Sequence, residues 1–528
     1  MIPILVLLAQ TVDWELIFPN QSFMPWGTNP FMLYDNTLIF TGLRWSGDSL
    51  KTGICAAADT GTGAILWEKE LAQTQWVRTT CVASDGDFIY VAGDGGETKS
   101  GFKGLTEDFL LFKLDGAGNV LWWRRPITKN LYEVCHTLLV DPWGNVVVAG
   151  VEYDLVANNF NISDWSVDGD GNTRWRFSYD SPYHHNDESF SAALDDDGSV
   201  YVGGCCYRPT GRKSLSKNMD GYAWGFSPGM KSPVSLIPPP TDTCYGKHPL
   251  LLKLDNNGNL VWIKDYADWN QGGTLCVVDY RYDKIFIAGG HSGEIYTACY
   301  DKYGWQFWDN WSAGYFLGLG NGFPAGDGNY YMTGAKHNPG PEVFIRCLDS
   351  LGGERYLNLL CPGGGSSIVV DWMGNLFIGG KLMHDRDSFA YDDFGVIKLD
   401  TLGNVSWIFQ KHGPLHHWDA CYKVLPDNRG GVFAMGLLNN TDSTFIQYIV
   451  HLVDDQEVAE TGGGELMRLS MVSSGFLISG YEGPVQVYDA TGRLILSREI
   501  TGKTLISPLN RGVYFVIAGK QKAKVAVR

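Results

Sequence analysis

Histidine, tryptophan and carboxylate residues are concentrated in short polar segments that separate apolar runs of the chain. Two of these segments read YHHNDES and LHHWDA. Aromatic rings stack on the apolar face of a sugar, while imidazole and carboxylate groups form directional hydrogen bonds, so this mixture suits a sugar or another small polar ligand. Alternatively, these side chains bond to one another and serve only packing. The candidate ligand-binding residues are Trp76, Arg78, His184, His185, Asp187, Trp269, His416, His417, Trp418 and Asp419.

The same residues do not predict a metal centre or a catalytic site. Zinc ligands lie about 2.0–2.1 Å from one point, whereas the four histidines are too dispersed to be assigned to one coordination shell, so we expect no metal. The segment DGDGN (Asp168–Asn172) is not completed by the glutamate of a calcium loop and is predicted to be a turn. The sequence contains no nucleophile elbow, phosphate-binding loop or HExxH motif. Catalytic residues are therefore unknown and no cofactor is expected, although carboxylates that meet only in three dimensions stay possible.

The eleven cysteines are scattered and include no CxxC motif. Most lie in apolar, strand-like runs and are expected to be small buried residues. Cys206 and Cys244 flank the longest insertion, where hairpin geometry would bring its ends together. A Cys206–Cys244 disulfide is therefore predicted, with Cys205–Cys244 or no bond as the alternatives.

Two short patterns alternate along most of the chain. The first is a turn and a β-run that ends in glycine, as in DGDFIYVAG (Asp85–Gly93), and it occurs eight times. The second is a strand, an aspartate turn and an aromatic residue, as in KLDNNGNLVW (Lys253–Trp262), and it occurs seven times between residues 57 and 407. The Gly-Asn and Asp-Gly pairs supply the positive φ that tight hairpins require.

One copy of each pattern, preceded by a strand, makes a four-stranded antiparallel unit of roughly 45–55 residues, which is the size of a propeller blade. The sequence therefore predicts an all-β chain with an eight-bladed β-propeller over residues 10–455. The last blade lacks its aromatic strand, and Thr11–Phe18, with Trp14 in the aromatic position, is predicted to supply it. Such closure would remove a free sheet edge. The candidate ligand-binding residues would then lie in loops on one face of the ring.

Charge and hydropathy limit the possible partners. The net charge is −17 and no Lys/Arg cluster is present, which argues against nucleic acid. The apolar run Ile2–Ala9 is too short to span a bilayer, so no transmembrane segment is expected. Residues 1–9 are instead predicted to be the remnant of a secretory signal peptide.

The C-terminal region differs from the repeats in composition. Residues 456–467 form a polar, glycine-rich linker. Residues 468–528 contain two predicted hairpins, and lysines mark the last strand. An ordinary Ig-like binding module is one interpretation of this region.

Leu509, Gly512 and Tyr514 form an L-x-x-G-x-Y pattern shortly before the last strand. Through this signature, residues 468–528 resemble the C-terminal sorting domain of the bacterial type IX secretion system, although the usual Pro-Asn-Pro at the start of the domain is absent. The resemblance implies that these residues form a small Ig-like β-sandwich. The resemblance implies that the partner is the type IX secretion machinery. It also implies that the protein is secreted or lies on the outer surface of a Gram-negative-type bacterium.

The repeats resemble those of secreted bacterial β-propeller proteins of the SBBP type. Ala57, Asp59, Gly63 and Trp67 also match the tryptophan-docking motif of quinoprotein dehydrogenases, and Cys205–Cys206 is similar to the adjacent-cysteine disulfide of some of them. Because the repeat matches are turn and packing residues, they imply architecture rather than activity. We therefore predict a secreted or cell-surface propeller that binds a glycan or protein, or serves as a scaffold. The alternative is an extracellular enzyme on the same scaffold, acting on glycans or as a quinone-dependent dehydrogenase.

Overall fold

A computed structural model of the chain describes most of its residues as β-structure. The described residues are 10–18, 21–22, 29–46, 50–74, 76–96, 107–126, 131–141, 143–154, 156–209, 245–266, 274–291, 293–312, 316–337, 340–383, 392–414, 419–427, 429–441, 444–454, 468–472, 475–479, 483–489, 494–500, 504–506, 512–518 and 521–527. They contain no helix, and hence no helical segment able to cross a membrane. Contacts divide the chain into two units, Met1–Asp454 and Asp455–Arg528.

The first unit begins with strand β1 (Gln10–Phe18), which joins the last sheet of the unit, followed by five consecutive antiparallel sheets. The first sheet contains β2 (Gln21–Ser22), β3 (Phe31–Tyr34), β4 (Thr37–Ser46), β5 (Leu50–Asp59) and β6 (Ile65–Leu71). The second contains β7 (Trp76–Ser84), β8 (Ile89–Gly96), β9 (Glu107–Leu114) and β10 (Val120–Arg124). The third contains β11 (Leu131–Val140), β12 (Val146–Asp154), β13 (Asn159–Val167) and β14 (Thr173–Tyr179).

The fourth and fifth sheets repeat the same order of four neighbouring strands. The fourth contains β15 (Asp187–Leu194), β16 (Val200–Pro209), β17 (Tyr245–Leu254) and β18 (Leu260–Asp265). The fifth contains β19 (Thr274–Arg281), β20 (Lys284–His291), β21 (Glu294–Tyr300) and β22 (Gln306–Ser312).

The sixth sheet has seven strands because one long strand serves two neighbours. It contains β23 (Phe316–Pro324), β24 (Tyr330–His337), β25 (Pro341–Leu348), β26 (Glu354–Val370), β27 (Leu376–Met383), β28 (Asp392–Leu399) and β29 (Val405–Lys411). Strand β26 pairs with β25 through residues 354–362 and with β27 through residues 363–370. Two groups of four strands therefore share this strand.

The closing sheet joins both ends of the first unit. It contains β30 (Ala420–Pro426), β31 (Val432–Thr441), β32 (Thr444–Asp454) and β1, in which Thr11 lies opposite Val453 and Phe18 opposite Gln447. This register confirms the predicted pairing of the N-terminal strand. Tyr448 also donates to the Glu15 carboxylate, at 2.8 Å, so side chains reinforce the pairing.

In six of the eight copies of the first repeated pattern, the glycine that ends the pattern pairs at a β-bulge in the strand that precedes it in the chain. Gly93 pairs with Thr79 where the register of β7 shifts, and Gly436 pairs with Cys421 where the register of β30 shifts. A Cβ atom added to Gly93 would lie 1.8 Å from the carbonyl oxygen of Arg78. The bulge therefore brings one backbone so close to the other that only glycine fits.

Aromatic residues of the second pattern pack on the aspartate turn of the following sheet. The indole Nε1 groups of Trp67 and Trp175 donate to the carbonyl oxygens of Gly116 and Asn256, both at 3.0 Å. Trp14 of β1 donates in the same way to Thr60, at 3.1 Å, in the first sheet. Its ring lies over Gly63, whose φ is 69°. Trp14 therefore occupies the predicted aromatic position and links the closing sheet to the first one.

The second unit consists of two antiparallel sheets among its described residues. One contains β33 (Arg468–Val472), β34 (Gly475–Ser479) and β37 (Thr504–Ile506). The other contains β35 (Gly483–Asp489), β36 (Leu494–Ile500), β38 (Gly512–Ala518) and β39 (Gln521–Val527). The predicted linker, residues 456–467, lies outside the described residues.

Candidate functional site

Loops between consecutive sheets and loops after the second strand of a sheet lie at the same end of the strands, because neighbouring strands are antiparallel. Trp76 and Arg78 lie at this end of β7, where Arg78 pairs with Asp94 of β8. The Arg78 guanidinium is 2.6 Å from the Asp94 carboxylate and 5.9 Å from the Trp76 ring centroid. Arg78 is 6% exposed and Asp94 is fully buried. Arg78 is therefore held by a buried ion pair within its own sheet.

The two His-His segments share a longer motif, since they read SPYHHND (residues 181–187) and GPLHHWD (residues 413–419). In both, the final aspartate is fully buried and accepts a hydrogen bond from the backbone amide six residues earlier. These bonds join Ser181 to Asp187 and Gly413 to Asp419, both at 2.5 Å. Each aspartate therefore closes a loop that carries a His-His pair, and the repeated P-x-H-H-x-D spacing is the sequence signal that the two loops are equivalent.

Burial of the two closing aspartates changes their ionisation. Desolvation raises the pKa of Asp187 to about 7 and that of Asp419 to about 6, although the amide hydrogen bonds act in the opposite direction. Oδ1 of Asp187 has no hydrogen-bond partner among the described residues. Both loops therefore hold a carboxyl group that titrates above its ordinary range.

The two histidines of the first loop differ in exposure: His184 faces solvent and His185 is partly buried. The His184 side chain is 77% exposed, and its Nδ1 lies 2.7 Å from the Asp180 carboxylate. Its φ of 50° is uncommon for a residue other than glycine. Burial lowers the pKa of the neighbouring His185. The loop therefore presents an imidazole that Asp180 orients toward solvent.

Several predicted residues lie outside the described part of the chain. These are Trp269, His416, His417, Trp418, Leu509 and Cys244. Gly512 and Tyr514 belong to β38, where they lie opposite Val527 and Val525 of β39. The ligand-binding assignments and the Cys206–Cys244 disulfide accordingly stay predictions.

Cys205 and Cys206 are both buried in β16 and both are free thiols. They lie opposite Pro249 and His248 in a regular antiparallel register. Successive side chains of a strand point to opposite faces of its sheet. This local geometry differs from the adjacent-cysteine disulfide that the sequence resembles.

Sequence analysis missed an exposed aromatic row on the fifth sheet. Tyr303, Trp305 and Phe307 are 71%, 76% and 57% exposed. Tyr303 and Trp305 lie in the turn between β21 and β22, and Phe307 is the second residue of β22. The Asp301 carboxylate accepts hydrogen bonds from the backbone amides of Tyr303 and Trp305, at 2.9 and 2.8 Å. The turn is therefore ordered although its aromatic side chains face solvent.

This turn also departs from the other copies of its own repeat. In four other copies an asparagine occupies the position of Trp305, and its side-chain amide donates to the turn aspartate. Asn119 and Asp115 form this bond at 2.9 Å, for example. In the fifth sheet, Trp305 cannot form this side-chain hydrogen bond to the turn aspartate, and its indole is exposed instead. Departures from a local structural rule occur most often at functional sites, and here the repeat serves as the internal reference.

No known protein family matches the sequence, and no curated protein matches it. Among solved structures, it is similar to a europium-containing methanol dehydrogenase at 10% identity, with a TM-score of 0.51 and coverage of 84% of this chain and 93% of that one. It is also similar to the quinohemoprotein alcohol dehydrogenase ADHIIG from Pseudomonas putida HK5, at 10% identity, a TM-score of 0.50 and coverage of 90% and 79%. Such likeness identifies the first unit as a β-propeller and extends no activity to this chain.

Proposed function

We propose that the chain is an exported, eight-bladed β-propeller that binds glycans through the aromatic row Tyr303, Trp305 and Phe307. The observation that supports this function is the exposed aromatic row itself, at a turn where four other copies of the repeat have an asparagine in place of Trp305. Clustered exposed apolar side chains mark interaction sites on soluble proteins.

Eight blades follow if the sixth sheet is counted as two blades that share β26. Residues 363–370 of β26 pair with β27 and shift register between Gly365 and Ser367, where the strands that lead other sheets also carry a bulge. The second half of β26 would then lead the seventh blade. The closing sheet would be the eighth.

A glycan fits the aromatic row better than a flexible apolar ligand does. Each ring offers a flat face on which the C–H groups of a sugar can stack. The ammonium groups of Lys302 and Lys284 lie 5.8 and 5.3 Å from the ring centroids of Tyr303 and Phe307, and can donate to sugar hydroxyl groups. The row therefore combines stacking surfaces with hydrogen-bond donors, as the chemistry of sugar recognition requires.

Trp305→Asn is expected to weaken glycan binding strongly without destabilising the protein. The substitution restores the residue found in four other copies, and the new side-chain amide can donate to the Asp301 carboxylate. A glycan array on the full chain would identify a ligand, and calorimetric titration would then measure affinity. We expect binding to weaken about 10-fold or more, as for an aromatic residue that dominates an interface, and the melting temperature to stay level or rise.

Trp143→Ala is the matched control for this variant. Trp143 is 60% exposed and its backbone amide also donates to a turn aspartate, Asp141, but it belongs to the third sheet. This variant should bind like the wild type. Unchanged affinity of Trp305→Asn, or equal losses in both variants, would contradict the aromatic row as the binding surface.

We further propose that residues 468–528 form an Ig-like sorting domain recognised by the type IX secretion machinery. The two small sheets of the second unit are compatible with a sandwich, and the L-x-x-G-x-Y match supports the sorting role. Replacing Tyr514 with alanine in the native host should retain the full-length protein in the periplasm. A variant that reaches the cell exterior in wild-type amounts would contradict this role, and Tyr481→Ala is the control.

A further inference from the structure

We propose that Cys81 and Cys135 form a disulfide that joins the second and third sheets in the exported protein. The proposal rests on the export proposed above, because only an oxidising compartment would let the bond persist.

The two cysteines lie on the strands that lead adjacent sheets, β7 and β11. Both are fully buried and lie within one apolar cluster that also contains Tyr90 and Leu138. Sγ of Cys81 lies 3.3 Å from the carbonyl oxygen of His136, the residue that follows Cys135. The Thr80 hydroxyl donates to the Cys135 carbonyl, also at 3.3 Å. Two contacts therefore hold these strand segments against each other.

The two thiols also interact directly. A hydrogen bond with Cys81, followed by burial, raises the pKa of the Cys135 thiol well above its ordinary value. Each cysteine lies beside a β-bulge, between Thr79 and Cys81 in β7 and between Cys135 and Thr137 in β11. A bulge therefore bends each strand beside its cysteine.

The bond would form by thiol–disulfide exchange with a low-molecular-weight or enzyme-borne disulfide. The Cys81 thiolate attacks this oxidant, giving a mixed disulfide and releasing one thiol. The Cys135 thiolate then attacks Sγ of Cys81 and releases the second thiol. The two cysteine protons end on the released thiols, so the oxidant gains the two electrons that the protein loses. Because buried thiols with a raised pKa are inert, the reaction belongs to folding rather than to the finished structure.

The test compares the full chain made in a bacterial cytoplasm with the same chain sent to a bacterial periplasm by an attached leader. After blocking of free thiols and proteolysis under non-reducing conditions, mass spectrometry should find a Cys81–Cys135 peptide pair only in the periplasmic protein. That protein should melt about 5 °C higher than its reduced form. Cys81→Ser should remove both the linked pair and the difference in melting temperature. Cys55→Ser, which alters another buried cysteine, should retain both the linked peptide pair and the difference in melting temperature.

The possible failures of this test are distinguishable. Absence of the linked peptides from periplasmic protein would overturn the disulfide and leave the proposed export untouched. Linked peptides in that protein, but free thiols in protein recovered from outside the native host, would overturn the disulfide in the exported protein without disproving export. Linkage of either cysteine to a third one would also overturn the assignment.

Discussion

Deleting residues 1–18 is expected to abolish cooperative unfolding of the propeller and to cause aggregation. The deletion removes β1, which leaves the outer edge of β32 without its partner strand. Unpaired strand edges pair readily with other chains. The loss also separates the closing sheet from the first one, because the indole of Trp14 no longer reaches Thr60. Calorimetry and size-exclusion chromatography would measure both effects.

Trp14→Ala gives a graded version of the same test. Trp14 is 8% exposed and packs against Phe433 and His451, with ring centroids 5.7 and 5.6 Å apart. Truncating such a residue costs about 3–5 kcal/mol. Trp143→Ala removes a mostly exposed indole and should cost much less. A deletion variant that melts as cooperatively as the wild type, at the same temperature, would contradict closure of the ring by β1.

Gly93→Ala is expected to destabilise the protein by more than about 3 kcal/mol, or to prevent folding. The new Cβ would lie 1.8 Å from the Arg78 carbonyl oxygen and 2.8 Å from Cα of Thr79. Both are backbone atoms of the bulge in β7, so the clash cannot be relieved by rotating a side chain. Thermal or urea unfolding of the full chain would measure the loss.

Gly340→Ala is the control for the glycine prediction. Nothing lies within 4 Å of a Cβ added at Gly340, and its φ is not in the left-handed region. This substitution should change stability by no more than about 0.5 kcal/mol. If Gly93→Ala behaved like Gly340→Ala, the bulge would not require glycine.

Much of the fold could be predicted because the repeat is a local signal. The turn aspartates, the positive-φ glycines and the flanking β-branched residues act within a few positions of one another. The Asp115 carboxylate, for example, accepts hydrogen bonds from the backbone amides of Ala117 and Asn119. Alternation of the two patterns then predicted four-stranded units, and the missing aromatic strand predicted the role of Thr11–Phe18. The requirement for glycine opposite a bulge was not predicted, because it depends on the path of the paired strand.

The sites were harder to predict because they depend on which side chains face solvent. The sequence shows Tyr303, Trp305 and Phe307 as a loose copy of a packing motif, and only the structure shows that these rings are exposed. The P-x-H-H-x-D motif can be recognised in the sequence. The hydrogen bonds from backbone amides to Asp187 and Asp419, which close the two loops, cannot be inferred from it. Ion pairs between separate strands could not be predicted either. Arg176 of β14, for example, pairs with both Glu133 of β11 and Glu152 of β12.

The sequence by itself determined the all-β class, the alternation of turns and strands, and the aromatic contacts between neighbouring sheets. Each of these depends on residues close together in the chain or on strict repetition. Only the tertiary structure decided that Cys81 meets Cys135, which aromatic side chains stay exposed, and where backbones approach too closely for a Cβ atom. These properties arise where different sheets or paired strands meet. A contact across such a junction depends on the curvature and register of both partners, which no local pattern specifies.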